Sequence, residues 1–265
     1  MKKLSAIAAI IVMSAIFSAC FKNPVTGRSS VNLVDEGSVR QMSATSYNGF
    51  LAANKPVNGT TEAEMVKRVG NKMAAAVQQY LTQIGKQSLI AGYQWEFNLV
   101  NNNEINAFCM PGGKVVVYSG IMPIAQNETG LAVIMGHEIA HAVARHGNER
   151  MSQGLLQEAG GVTMAVLMSN KPQQAQQLFN SAYGIGSTLA VLKYSRTHES
   201  EADEMGLYFM AMAGYNPNEA PVFWQRMAAK GGQKPPEFLS THPSDATRIN
   251  QLKGWMPKAM QYYKP

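Results

Sequence analysis

His137, Glu138 and His141 stand in the run His-Glu-Ile-Ala-His, and two imidazoles four residues apart with an acid between them can build a metal-assisted hydrolase. On a helix, positions i and i+4 lie one above the other on one face. Both rings can then share one ion. Glu138 projects from the flank of that face, where it can hold a water that the metal has acidified. Two ligands and a general base are what zinc-dependent hydrolysis needs. The plainer account makes His137 and His141 core histidines satisfied by neighbours. It leaves a charged Glu138 buried with nothing to answer it.

Zinc needs a third protein ligand, and Tyr194 to Asp203 offers one. The stretch reads as the start of a helix ending near Gly214, with Ser195 or Thr197 as N-cap and acids in the first turn, as the helix dipole favours. Glu199 and Asp203 are four apart and share a face. One can bind the ion while the other accepts the free ring N–H of a ligand histidine. Glu201 points well away from that face. Taken alone, the three acids also fit a solvated helix start.

These groups need a scaffold. Leu131 to His146 is apolar, with no Pro and one Gly, and reads as a buried helix capped by Asn127. Leu33–Ala53 and Thr60–Tyr80 read as helices, the second opened by a capping-box pattern at Thr60. Tyr93–Val100 and Lys114–Tyr118 read as strands, Ser119–Ala125 as a short helix, and 218–230 and 244–255 as closing helices. Met151 to Lys193, rich in Gln, Ala, Met and Gly, reads as two inserted helices (151–193). They are either ordinary packing or a lid across the cleft. The expected fold is α+β, mostly α-helical, with a small β-sheet beside the active-site helix.

His137 to His141, taken with Ser195-Arg196, Glu199 and Ala202-Asp203, resembles the HtpX-type metallopeptidases, metallopeptidase family 48, and more closely their soluble or lipid-anchored bacterial branch. Asn106-Ala107-Phe108, Pro111-Gly112-Gly113 and Thr241-His242-Pro243 match as well, and the similarity covers roughly residues 30 to 255. The resemblance implies a gluzincin-like domain, with one Zn2+ held by His137, His141 and Glu199. It implies Glu138 as the base and Asp203 as the carboxylate behind a ligand histidine. The expected task is degrading misassembled envelope proteins.

The amino terminus points to export. Met1-Lys2-Lys3 is a basic start, Leu4–Phe17 a short apolar run and Ser18-Ala19-Cys20 a small-residue cleavage site. Residues 1–19 read as a signal peptide, and residues 20–30 as a lipidated Cys20 followed by a tether. Residues 31–265 read as the peptidase domain. Phe21 in place of Asp favours the outer membrane by bacterial sorting rules, with the enzyme on its periplasmic face. Two or more acyl chains anchor stably. Cys109 then has no partner in the chain. It reads as a small buried hydrophobe at a strand start, or as a redox-sensitive or intermolecular thiol.

The chain of 265 residues is 46% apolar, which suits one substantial domain. Removal of Lys2 and Lys3 lowers the formal net charge of +6 by two. No basic cluster interleaved with aromatics marks a nucleic-acid partner.

His242 lies on a Pro-bounded loop with no packing duty and admits two roles. Its N–H can stabilise the oxyanion, with Arg248 behind it. Its neutral nitrogen can instead take zinc's fourth position and exclude water. It also fits a plain surface histidine beside a turn. The substrate is expected to add as a strand to an exposed edge near Asn106 to Lys114, with Asn106, Ala107 and Arg248 in contact. That mode suits unfolded envelope proteins. Two competing classes are a zinc-bearing chaperone or assembly adaptor with little proteolysis, and a zinc hydrolase acting on non-peptide bonds.

Overall fold

The structure is a computed structural model that describes residues 20–158, 169–183, 195–230, 242 and 246–264. The signal-peptide expectation for residues 1–19 lies outside them. Nine helices occur among the described residues: α1 (Glu36–Ala53), α2 (Thr61–Gln83), α3 (Met122–Ala125), α4 (Glu128–Val143), α5 (His146–Glu158), α6 (Pro172–Tyr183), α7 (Arg196–Met212), α8 (Glu219–Ala229) and α9 (Ala246–Ala259). Six short strands are β1 (Cys20–Lys22), β2 (Ser29–Val31), β3 (Pro56–Val57), β4 (Glu96–Val100), β5 (Ala107–Met110) and β6 (Lys114–Tyr118). The expected fold class, mostly helical with a small sheet, is what the chain adopts.

The main sheet runs β3-β4-β6-β5, with β4 and β6 parallel and the two outer pairs antiparallel. Period-two alternation sends its side chains into two separate cores. Phe97, Leu99, Ala107, Cys109, Val115 and Val117 face the core shared with α2, α4, α7, α8 and α9. Val100, Phe108, Met110, Val116 and Tyr118 face a second core with α1, α5 and α6. A strand buried on both faces needs an unbroken apolar run, and Val115-Val116-Val117, wholly buried, supplies it. Burying each of these valines contributes about 1.5–3 kcal/mol relative to exposure.

Side-chain caps fix where the site-bearing helices begin. Asn127 accepts from Gly130 N to open α4, and Ser195 accepts from His198 N to open α7. Thr60 caps α2 in the same way. The active-site helix begins at Glu128, behind the expected cap Asn127, and stops at Val143, three residues before the expected His146. Arg145 then takes φ 58° and reverses the chain, so His146 starts a new helix rather than ending the old one. The insertion contributes α5 and α6, whose Met151, Leu155, Leu178 and Phe179 pack in the second core. Residues 159–168 and 184–193 of that insertion, on which the lid reading depends, lie outside the described residues.

Two corrections follow. The stretch expected as a tether folds as an antiparallel hairpin, β1 on β2, with Phe21 and Ser30 buried. The edge strand β5 is present, but residues 107–113 are all buried, so the edge expected to be open is covered in this structure.

Candidate active site

The two helices that carry the motifs, α4 and α7, pack against each other and bring His137, His141 and Glu199 together. His137 Nε2 and His141 Nε2 are 3.1 Å apart. Glu199 Oε2 is 3.5 Å from His137 Nε2, and its Oε1 is 3.3 Å from His141 Nε2. A fourth group joins them: His242 Nδ1 stands 2.8 Å from Glu199 Oε1 and 3.1 Å from His137 Nε2. One donor atom from each of these residues lies within 4.8 Å of the others, and all four residues are buried.

That donor set fits zinc. Ligand atoms at roughly 2.0–2.1 Å from one tetrahedral ion stand roughly 3.3–3.4 Å from each other, which is close to the separations here. Electrostatics agree. Burial pushes Glu199 up, but His242 and His137 more than offset it and hold the carboxyl well below its usual range. Burial and Arg248 act to lower His137, yet Glu199 and Asp203 carry it up to about 9. His141 is driven well down by burial. The ionised Glu199 carboxylate attracts positive charge, which a protonated His137 supplies here and which a bound metal ion would supply in its place, releasing that proton.

Glu138, on the flank of α4, is buried, and its Oε1 has no hydrogen-bond partner. The same oxygen lies 3.8 Å from His242 Nε2. Burial raises the Glu138 carboxyl above its ordinary value, the direction a general base needs in order to work near neutral pH.

The i, i+4 reading of α7 places Asp203 as expected. Its Oδ1 is 2.8 Å from His137 Nδ1 and accepts from Arg248 Nη2 at 2.6 Å. Arg248, on α9, is buried with its guanidinium 3.3 Å from the centre of the Trp224 ring. Its Nη1 reaches Glu199 Oε2 at 3.3 Å. Arg248 therefore stands behind Asp203 and Glu199 as well as beside His242.

The surroundings of Glu201, His146, Asn106 and Cys109 are also defined. Glu201 is no solvated acid: it is buried and bonded to His146, Arg28 and Thr26. His146, unassigned in the sequence reading, lies 2.9 Å from the outer nitrogen of His141. Asn106 turns its Oδ1 back onto the N–H of Ala107, and Ala107 is buried in the core. Cys109 sits within β5 rather than at its start. Burial, with Glu138 adding to it, pushes its thiol well up, which suits the inert hydrophobe over the redox-active thiol.

The chain is similar to known metalloendopeptidases. A mitochondrial metalloendopeptidase OMA1 from Schizosaccharomyces pombe is 35% identical over 205 residues, which cover 74% of this chain and 59% of its own. The human OMA1 metalloendopeptidase is 29% identical over 248 residues, 90% of this chain and 46% of its own. A β-barrel assembly-enhancing protease from Yersinia pestis is 33% identical over 202 residues, 70% of this chain and 41% of its own. The chain thus spans about half the length of these relatives. Residues 62–256 match the sequence profile of Peptidase family M48. That span runs from the first turn of α2 into α9 and holds the whole buried cluster, so this chain belongs to peptidase family M48.

Proposed function

We propose that the protein is a zinc-dependent endopeptidase, with His137, His141 and Glu199 as metal ligands and Glu138 as general base. The observation that carries this is the convergence of three ligand groups at metal-ligand spacing with an unpartnered, buried carboxylate oxygen beside them. Zinc, when bound, supplies Lewis acidity that acidifies water and polarises a carbonyl. Glu138 takes the proton of the attacking water at Oε1 and returns it to the leaving amine. Asp203 fixes the tautomer of His137 by accepting from Nδ1, and Arg248 holds Asp203 in place.

We assign His242 the blocking role, because its Nδ1 lies among the donor atoms of His137, His141 and Glu199, where it would compete with a water. The resting enzyme is then latent, and turnover requires His242 to withdraw. Withdrawal frees its N–H for the oxyanion.

Export and anchoring through Cys20, and action on unfolded or misassembled envelope proteins, complete the proposal. It is supported by the basic-apolar-Cys amino terminus and by the name of the Yersinia relative. Cys20 is exposed at the head of β1, and no described helix is long and apolar enough to cross a membrane. The buried Glu138 argues against an adaptor that merely carries zinc.

The test is digestion of casein by wild type, Glu138→Gln and His242→Ala, with and without chelator, at measured zinc content. Chelator-sensitive cleavage that Glu138→Gln abolishes supports the proposal. Cleavage indifferent to chelator, or none from wild type or His242→Ala when zinc-loaded, overturns it. Membrane fractionation of Cys20→Ser tests the anchor: unchanged membrane association removes the lipid from the account.

A further inference from the structure

The side of His141 turned away from Glu199 meets a second network, buried at His146 and Glu201 and half-buried at Arg28, that the chemistry above does not use. His141 directs Nε2 at Glu199, so its Nδ1 faces outward, 2.9 Å from His146 Nδ1. His146 Nε2 lies 2.9 Å from Glu201 Oε2. Glu201 is gripped in turn by the loop of the amino-terminal hairpin. Arg28 donates from Nε to Oε1 at 3.0 Å and from Nη2 to Oε2 at 2.9 Å, and Thr26 Oγ1 donates to Oε1 at 2.5 Å. The same guanidinium bonds both oxygens of Glu149, at 2.9 and 2.7 Å. Glu149 Oε2 reaches His198 Nε2 at 3.0 Å, and the His198 ring stacks on His146.

We propose that His146, Glu201 and Arg28 are positioning residues for the metal site, which makes the hairpin Cys20–Val31 a structural part of that site. The proposal rests on the reading that His141 binds the ion through Nε2.

Proton placement gives the reason. A neutral histidine that offers Nε2 to a metal carries its proton on Nδ1, and that N–H needs an acceptor. The atom facing it is His146 Nδ1, which accepts only if His146 keeps its own proton on Nε2. That second proton has an acceptor in Glu201, an anion between Arg28 and Thr26. Each link fixes the next. A histidine facing a histidine could otherwise run in either direction, and the reverse direction would put the His141 proton where the metal belongs. Glu201 removes the ambiguity, and Arg28 holds Glu201 by a two-point fork that a lysine cannot reproduce. His137 obtains the same service directly from Asp203, so the two ligand histidines are set by independent devices.

The test uses the full chain and reads Zn2+ affinity by competition with a chromophoric chelator. A second readout is the visible spectrum of the Co2+-loaded protein, which reports ligand geometry. Glu201→Gln keeps the side chain's shape, and Arg28→Ala removes the clamp. Each should weaken Zn2+ binding on the order of 10–100-fold and alter the Co2+ bands, with Arg28→Lys recovering only part of the loss. His141→Ala is the reference. If it loses zinc while Glu201→Gln and Arg28→Ala keep wild-type affinity and spectrum, the relay is wrong and the metal site stands. If His141→Ala itself binds zinc like wild type, the assignment of the ligand fails first. Lower thermal stability of the chelated variants with unchanged Zn2+ affinity also overturns the relay, since it leaves only a scaffolding role.

Discussion

Gly206 lies against Gly136 so closely that a Cβ on Gly206 would sit 3.0 Å from His137 N, and one on Gly136 would sit 3.1 Å from Gly206 O. Helices α4 and α7 therefore touch through backbone at the turn that carries His137, three residues along α7 from Asp203. Helices whose contact residues carry side chains stand about 8–10 Å apart. The missing side chains set the reach between the His137 ring and the Asp203 carboxylate. Gly206→Ala should push the helices apart by tenths of an ångström, cost about 1–3 kcal/mol of stability and weaken zinc binding. Thermal unfolding and zinc titration check this, and an unchanged zinc affinity would show that the contact does not set the site.

Glu138→Gln should fold, retain zinc and lose roughly 10²–10⁴-fold in peptidase rate. The amide keeps the size of the side chain but cannot accept the proton. Full activity in a zinc-loaded variant would remove Glu138 from the mechanism.

Among the acids of α7, Glu199→Ala should reduce zinc content most after dialysis, because Glu199 alone reaches His137, His141 and His242. Asp203→Ala should weaken affinity by about 10–100-fold, through loss of the 2.8 Å contact to His137. Equal losses from both substitutions would mean that Asp203 is not acting through the histidine.

His242→Ala separates blocking from catalysis by sign. With Nδ1 lodged against Glu199 and His137, removal of the ring should speed cleavage or release self-digestion. A fall of about 10²–10³-fold at constant zinc would instead make the oxyanion its main duty. Autolysis products on a gel and casein turnover read the two outcomes.

Acid should loosen the clamp around Arg28. Burial would raise Glu149, but His198 and Arg28 more than reverse it and pull the carboxyl to about 2, from an ordinary value of 4.5. A folded value below the unfolded one stabilises the fold fully above the unfolded value, and the gain disappears as pH falls through the folded one. The stability of the chelated protein should therefore drop as pH falls from 4.5 toward 2, and Glu149→Gln should flatten that slope. Denaturant midpoints at several pH values measure it, and parallel curves for the two proteins would contradict it.

The parts of the site readable from sequence are those built on helical repetition. His137 to His141 and Glu199 to Asp203 are both i, i+4 pairs, so their shared faces could be inferred before any fold was known. Helix starts were legible at Thr60, Asn127 and Ser195, because a cap is a local bond. His146 was not legible. Five residues after His141 on one continuous helix, it would face elsewhere, and only the left-handed turn at Arg145 returns it to the site. Arg28 was hidden for a different reason: its partners lie 121 and 173 positions away, and its own segment, polar with Pro24 and Gly27, reads as a linker. Strand β5 was expected only loosely, as an edge near Asn106 to Lys114, because Ala107 to Met110 is an apolar run too short to show alternation. The burial of that edge is a tertiary fact with no local signature.

The span of the Arg28 contacts also bears on when the enzyme comes into being. A chain made from its amino terminus produces Arg28 early, yet the acids that Arg28 joins come at 149 and 201, and His242 and Arg248 later still. Closing such long loops is entropically slow. A chain that stops short of residue 248 lacks the guanidinium that Asp203 accepts from, so the proposed metal site is incomplete until that segment has been made. If the proposed hydrolysis is this site's work, the growing chain is spared from it until its distant segments have met.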